Sequence, residues 1–264
     1  MKNVIFYITH HLNEHDRIQL KNLSDIHNCK NSQNFLFVLL DTSRMTEEEI
    51  YGAHEFESIG ADEGYTIIFL EDIFVSRELS YKGYVIEKYE GDNNPLFYGN
   101  CMLMIMYVYS LLKYCGVDYF WIIEHDVYLN GKWSEFLDFF DESRNEDFIP
   151  SIIHPYDPFW WHANQYNFKN HIDRNKFLVS FNPIMRLSNN AMEELDKSYR
   201  EGNSGFYELY IPTYFNNKGM SIKSLETYGW TDIKNFTFIK NGSLGKEDIT
   251  QENYLYHPVK NVNW

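Results

Sequence analysis

The sequence predicts an α/β fold with a mixed, mainly parallel central sheet flanked by helices. Four short apolar runs carry this prediction, at residues 4–8, 35–40, 65–70 and 119–123. Each run is continuous rather than alternating, which is typical of strands that are buried on both faces. Helical patterns separate the runs, and an alternation of strands and helices favours a sheet whose neighbouring strands are parallel.

The helices of the first half are predicted from their caps and stops. A first helix covers about residues 16–28, and a second follows Thr46, which can form a capping box with Glu49. A third helix extends over about residues 97–114 and stops at Gly116, since glycine is a common helix terminator. These helices supply the layers that cover the sheet.

In the second half of the chain the sequence pattern predicts shorter helices and strands. We find no repeat, low-complexity segment or linker in the sequence. We therefore expect one domain over residues 1–264. The predicted elements are strands at 148–153 and 177–181 and helices at 133–140, 189–199 and 206–217, with Pro212 marking a start or a kink in the last helix.

Composition excludes several classes of function. The formal net charge of -15 argues against a nucleic-acid partner, because neutralising phosphates takes clustered Lys and Arg. The odd set of Cys29, Cys101 and Cys115 has no paired spacing, which favours a reducing compartment. The first residues enter a strand directly, and the longest apolar run (101–112) is too short for a membrane span. We expect a soluble cytoplasmic protein without a transmembrane segment.

Two carboxylates follow the fourth predicted strand directly. Glu124 and Asp126 flank His125 at the point where that strand ends. In parallel sheets ligands collect beyond the carboxyl ends of the strands, and carboxylate oxygens suit a hard divalent ion. Such an ion would let an acidic protein hold a phosphate ester. A strand-end turn with solvated carboxylates is the alternative interpretation.

Residues 120–127, of sequence FWIIEHDV, and the Gly-Lys-Trp at 131–133 resemble the DXD region of GT-A nucleotide-sugar glycosyltransferases. Glu124 replaces the first Asp of that motif and His125 occupies its middle. The resemblance implies the Rossmann-like GT-A fold, a nucleotide-diphosphate donor such as a UDP-sugar, and Mn²⁺ or Mg²⁺ as cofactor. It further implies that Asp126 is a direct metal ligand and that Glu124 either contacts the nucleotide or supports the metal ligands from the next layer of residues, and it leaves His125 without a role.

The resemblance extends more weakly to the second half. Residues 179–188 are similar to the segment that precedes the acceptor site, and Glu208 matches the position of a catalytic carboxylate. Glu208 would then remove the proton from the acceptor hydroxyl. An ordinary acidic residue on the helix surface is the alternative interpretation of Glu208. His257 resembles a late histidine that completes the metal site, and Lys260 would meet a phosphate.

The ends of the first three strands are where GT-A folds hold the nucleoside. The resemblance therefore assigns Thr9, His10, His11, Asp41 and Asp72 to nucleotide binding. A rival hypothesis is a zinc site, since histidines at positions 11 and 15 have the i, i+4 spacing of one helix face. No third ligand is evident near that pair in the sequence, so the pair is expected to be solvated or to face the nucleotide.

These expectations combine into one functional hypothesis. Residues 1–133 would bind the nucleotide sugar, and residues 134–264 would bind a saccharide or lipid-linked acceptor, in surface-glycan synthesis and at the inner membrane through that acceptor. The aromatic loop at 154–162 is expected either to form an acceptor platform or to be a buried plug. The alternatives are a metal-dependent hydrolase or phosphatase and a non-catalytic carbohydrate-binding protein.

Overall fold

The computed structural model describes residues 1–86, 101–142, 144–160, 162–237 and 243–260, without the side chains of Glu55, Ser58 and Ile59. The strands are β1 (Lys2–Thr9), β2 (Gln33–Asp41), β3 (Tyr65–Leu70), β4 (Tyr119–Glu124), β5 (Tyr128–Asn130), β6 (Phe148–Pro155), β7 (Tyr166–Asn167), β8 (Leu178–Ser188), β9 (Ser204–Gly205) and β10 (Tyr254–Tyr256). The α-helices are α1 (Glu14–Leu23), α2 (Glu47–Glu63), α3 (Asp72–Tyr81), α4 (Met102–Leu112), α5 (Trp133–Asp141), α6 (Asn189–Arg200) and α7 (Tyr207–Lys218).

A six-stranded sheet of order β3-β2-β1-β4-β8-β6 forms the centre of the fold. The first four strands in this order pair in parallel, whereas β8 is antiparallel to both β4 and β6. Strand β8 therefore runs against the other five described strands of this sheet. The predicted fold class, a mixed and mainly parallel sheet flanked by helices, is confirmed.

Burial on both faces explains why the strand segments are continuously apolar. Along β1, Val4, Phe6 and Ile8 pack into one core, whereas Ile5 and Tyr7 pack into the core on the opposite face. Helices α3, α4, α6 and α7 contribute to the first core, and α1, α2 and α5 contribute to the second. The alternation of side chains along a strand thus places apolar residues in both layers.

The predicted helices of the first half are confirmed in outline. The Thr46 hydroxyl accepts the Glu49 N–H at 3.3 Å, and the Glu49 carboxylate accepts the Thr46 N–H at 2.7 Å, so the capping box is present. The helix expected at 16–28 is α1 followed by a separate 3-10 helix at Ser24–Asn28. Residues 97–100 of the third predicted helix lie outside the described residues.

Pro212 lies inside α7, so the predicted helix start at this position is wrong. A proline has no N–H, and the carbonyl of Glu208, four residues earlier, therefore loses its usual helical partner. The Ser180 hydroxyl donates to that carbonyl at 3.4 Å. This hydrogen bond connects the first turn of α7 to β8.

Two features of the second half were not predicted. Strand β8 has 11 residues, more than twice the length of the strand expected at 177–181, and it lies between β4 and β6, so both halves of the chain build the same sheet. Strand β10 pairs with β5 in a separate two-stranded ribbon. Among the described helices, none is long and apolar enough to cross a membrane.

The aromatic cluster beneath α5 generates a stability prediction. Phe136 is fully buried, and its ring centroid lies 5.1 Å from that of Trp121, 5.0 Å from that of Phe140 and 4.9 Å from that of Trp230. Phe136→Ala leaves a cavity, and we expect it to lower the unfolding free energy by about 3–5 kcal/mol. Chemical denaturation followed by circular dichroism measures this loss.

The matched control is Phe159→Ala, because Phe159 is 94% exposed. We expect this variant to change the unfolding free energy by no more than about 0.5 kcal/mol. Equal stabilities of the two variants would contradict the assigned core.

Candidate active site

The Glu124-His125-Asp126 segment forms a tight turn at the carboxyl end of β4. The Val127 N–H donates to the Glu124 carbonyl at 3.1 Å, which closes the turn before β5 begins. Glu124 is partly buried and Asp126 is buried. Burying two carboxylates so close together is costly unless a partner compensates their charge.

The late strand β10 delivers that partner. In the antiparallel ribbon Tyr256 lies opposite Tyr128, and the Val259 N–H then donates to the Asp126 carbonyl at 2.8 Å. This pairing leaves His257 beside Asp126, with Nε2 3.2 Å from Oδ1. One potential ligand atom from each of Glu124, Asp126 and His257 lies within 4.8 Å of the others.

The orientation of the His257 ring points to a cation at this position. Its Nδ1 lies 3.1 Å from the Thr237 carbonyl oxygen, which can only accept, so Nδ1 carries the proton. In the neutral ring Nε2 then presents a lone pair to Asp126. The buried Oδ1 of Asp126 makes no hydrogen bond with any described residue. Two acceptors that face each other are the arrangement that a shared metal ion satisfies.

The two carboxyl groups of the turn differ in their pKa values. Burial would raise the pKa of Asp126. In the metal-free protein a protonated His257 takes the place of the ion, because its Nε2–H can donate to the carboxylate, and this bond and the positive charge of the ring lower that pKa to about 2. The pKa of Glu124 is raised to about 8, chiefly by burial and then by the negative charge of Asp126. Asp126 is therefore the carboxylate that stays ionised without a metal ion.

Glu208 approaches the same place from the first turn of α7. The backbone N–H of Asn182 donates to Glu208 Oε1 at 3.3 Å, and the Tyr207 hydroxyl donates to Glu124 Oε1 at 3.4 Å. Burial raises the pKa of Glu208 to about 8. A carboxyl group whose pKa lies near neutral pH can exchange a proton with a substrate hydroxyl.

Three of the residues assigned to the nucleotide lie at the end of β1, where Thr9 is the last strand residue and His10 and His11 follow it. The ring centroid of His125 is 5.3 Å from that of His10 and 4.8 Å from that of His11. Thr9 is buried, and its hydroxyl donates to the His11 carbonyl at 2.7 Å. The structure thus brings the end of β1 to the Glu124–Asp126 turn, and nucleotide binding by these residues stays a prediction.

The remaining predicted residues occupy different positions around this edge. Asp41 is buried at the end of β2. Burial lowers the pKa of His10, and the negative charge of Asp41 offsets part of that lowering. Asp72 does not end β3, as expected, but begins α3, where its Oδ1 accepts the Ser76 hydroxyl at 3.0 Å. Lys260 is exposed, and its positive charge helps to lower the pKa of Asp126.

His11 and His15 do not form the pair on one helix face that the rival zinc hypothesis required. His11 precedes α1 rather than lying on it, and Nε2 of His15 is 3.1 Å from the His125 carbonyl oxygen instead. The expectation that no third ligand lies near this pair does not hold for His11, because the parallel strands bring His10 and His125 to it. This contact could not be seen in the sequence, because His125 is far along the chain from His10 and His11.

Asn182 is a site residue without an assigned role in the sequence. Its side chain is almost completely buried, yet neither Oδ1 nor Nδ2 has a hydrogen-bond partner among the described residues. The register of β8 against β6 shifts here, and Pro183 occupies the irregular stretch. The only sequence signal is a polar residue within an apolar strand. An unpaired buried amide beside Glu208 is suited to binding substrate hydroxyls.

The aromatic loop is neither wholly exposed nor wholly buried. Phe159 is exposed, whereas Trp160 packs partly into a small core with Phe177. The His162 ring stacks on Phe206, with ring centroids 3.7 Å apart. Trp161, which the platform hypothesis also used, lies outside the described residues.

Comparisons with known proteins give distant likenesses. No family model matches the chain, and no curated protein matches it. Mouse xyloside xylosyltransferase 1 in its apo form is similar with a TM-score of 0.38 and 10% identity, over 83% of this chain and 82% of that one. The mannosyltransferase PcManGT from Pyrobaculum calidifontis, in complex with GDP-Man and Mn²⁺, is similar with a TM-score of 0.45 and 8% sequence identity. This likeness covers 84% of this chain and 54% of that one.

The acceptor pair of Asp126 and His257 generates a metal-binding prediction. We expect Asp126→Asn and His257→Ala each to weaken Mn²⁺ binding by at least about tenfold, because each removes one ligand atom. Isothermal titration calorimetry measures the affinity. Asp62→Asn is the matched control, since Asp62 is exposed on α2. Unchanged Mn²⁺ affinity in both site variants would exclude this ligand set.

Burial of Glu208 generates a prediction about pH. Because its pKa is raised to about 8 in the folded chain, the folded state keeps a proton that the unfolded state releases. The metal-free protein should therefore lose stability as the pH rises from about 5 to 8, by about 1–3 kcal/mol from this group. Urea unfolding in the presence of a chelator, at several pH values, measures the slope.

Glu208→Gln removes this titration, and its stability should fall less over the same pH range. Glu201→Gln, at the exposed end of α6, should keep the wild-type slope. A Glu208→Gln slope equal to that of the wild type would show that Glu208 does not hold the proton.

Proposed function

We propose that this protein is a divalent-metal-dependent glycosyltransferase that moves a sugar from a nucleotide-diphosphate donor to an acceptor hydroxyl. The observation that carries the proposal is the meeting of Asp126 Oδ1 and His257 Nε2, two acceptors 3.2 Å apart when the ring is neutral, beside the partly buried Glu124 and Glu208. A metal ion bound there would offset the charge that develops on a departing diphosphate. In this proposal Glu208 exchanges a proton close to that point.

The chain's own residues support each part of such a transfer. The acceptor oxygen forms a bond to the anomeric carbon while the bond from that carbon to the phosphate oxygen breaks, and the electron pair leaves with the diphosphate. In our proposal the acceptor proton passes to a carboxylate oxygen of Glu208. Asp126 and His257 would hold the metal ion, and Lys260 would add positive charge at the diphosphate.

Glu124 and Asn182 would bind and orient the sugar. Glu124 holds a hydrogen bond from Tyr207 that fixes its side chain, and the amide of Asn182 has both its donor and its acceptor unpaired among the described residues. A sugar hydroxyl both donates and accepts, so it can satisfy such an amide. The exposed Phe159 would offer an apolar face at the acceptor side.

The finer features of the function are proposals from the sequence. They comprise a UDP-sugar as donor, a saccharide or lipid-linked acceptor, Mn²⁺ or Mg²⁺ as the ion, and a role in surface-glycan synthesis. Cysteines Cys29, Cys101 and Cys115 are all unpaired, which is consistent with the proposed cytoplasmic location. Thr9, His10, His11, Asp41 and Asp72 keep their proposed place around the nucleotide.

Metal-dependent cleavage of nucleotide sugars tests the proposal. With a panel of UDP- and GDP-sugars and Mn²⁺, we expect the wild type to release the nucleotide and a chelator to abolish the release. Asp126→Asn should lower the rate at least about 100-fold, and Glu208→Gln should lower transfer to an acceptor by about 10²–10⁴-fold. Glu201→Gln should retain the wild-type rate.

Two outcomes would contradict the proposal, and each would identify a different function. Release of phosphate from a simple phosphate ester without any nucleotide sugar would identify a hydrolase. Glycan binding that survives the combined Asp126→Asn and Glu208→Gln changes, with no turnover of any donor, would identify a carbohydrate-binding protein.

A further inference from the structure

Three histidine rings meet beyond the carboxyl ends of β1 and β4. These strands pair in parallel with Ile8 opposite Glu124, and the His125 N–H donates to the Ile8 carbonyl at 3.1 Å. The residues that follow both strands are therefore adjacent. The rings of His10 and His11 lie 4.5 Å apart by centroid, and one ring nitrogen of each of the three histidines lies within 4.8 Å of the others.

We propose that His10, His11 and His125 form a second metal site, for a borderline transition-metal ion such as Zn²⁺. A tetrahedral zinc ion with bonds of about 2.0–2.1 Å holds its ligand nitrogens roughly 3.4 Å apart. The rings need to close by only about an ångström or so to reach that spacing. Three protein ligands leave one position open for water or an anionic oxygen, as in catalytic zinc sites.

A buried carboxylate supports one of the ligands from behind. Asp16 has a fully buried side chain, and its Oδ2 lies 2.8 Å from Nδ1 of His11. Asp16 is itself fixed, because its Oδ1 accepts the Tyr7 hydroxyl at 2.9 Å and its Oδ2 accepts the Asn13 N–H at 3.0 Å. A carboxylate on the second nitrogen of a ligating imidazole fixes the tautomer and orients the ring toward the metal.

The backbone of the third ligand is also held in place. Nε2 of His15 contacts the His125 carbonyl oxygen at 3.1 Å, and the Tyr7 hydroxyl donates to the same oxygen at 3.3 Å. Both supporting side chains are buried. The site is therefore built on two strand ends and supported by a layer of fixed polar groups.

The ligand chemistry separates this site from the one at Asp126 and His257. Imidazole nitrogens favour Zn²⁺ and its neighbours in the transition series, whereas carboxylate oxygens favour Mg²⁺ and Mn²⁺. Within one tripeptide, Glu124 and Asp126 face the carboxylate site and His125 faces the histidine site. This placement gives His125 a role that the DXD-like pattern does not provide.

Cobalt titration of the metal-free full chain tests the proposal, since tetrahedral Co²⁺ bound to imidazole absorbs visible light. We expect two equivalents of Co²⁺ to bind the wild type and one to bind Asp126→Asn, with the visible band retained. Combining Asp126→Asn with His11→Ala or with His125→Ala should remove the second equivalent and the band. Asp16→Asn, which keeps all three ligands, should weaken Co²⁺ binding by about 10–100-fold.

His171→Ala is the matched control, because His171 is exposed and does not belong to the group of three histidines. It should bind Co²⁺ as the wild type does. The proposal is overturned if Asp126→Asn binds no Co²⁺, or if adding His11→Ala and adding His125→Ala both leave its band unchanged. The readout does not involve sugar transfer, so failure of the proposed transferase activity would leave this test intact.

Discussion

The parallel pairing of β1 with β4 is the constraint on which both candidate sites depend. It sets Ile8 opposite Glu124, so that the residues after both strands emerge at the same edge. The register is strongly fixed, because side chains of β1 are buried in both layers and a slip by one residue would exchange their faces. Packing in the core thereby decides which polar groups meet at the surface.

The charges at this edge are compensated in several ways. Asp16 receives hydrogen bonds from hydroxyl and backbone donors, and Asp126 faces His257. Glu124 and Glu208 have raised pKa values, so each tends to keep its proton. In a chain with a net charge of -15, few positive groups are available for this task. A bound cation would relieve the repulsion, and binding would then stabilise the folded chain.

Local patterns explain what could be predicted from the sequence. Continuous apolar runs identify β1 to β4, and two carboxylates at the end of a buried strand identify Asp126 as a candidate ligand. The ribbon of β5 and β10 could not be predicted, because each strand has three residues and the pairing joins distant segments. The unpaired amide of Asn182 and the meeting of the histidines depend on the same kind of distant contact.

The position of β10 along the chain has a consequence for biosynthesis. The ribosome releases β1, β4 and β8 before β10, so the central sheet can assemble while His257 is still absent. Only when β10 pairs with β5 does His257 reach Asp126. Contacts between such distant segments form late in folding because closing the long loop costs entropy. The carboxylate pair at the end of β4 thus gains its histidine only after β10 has been synthesised and has paired with β5.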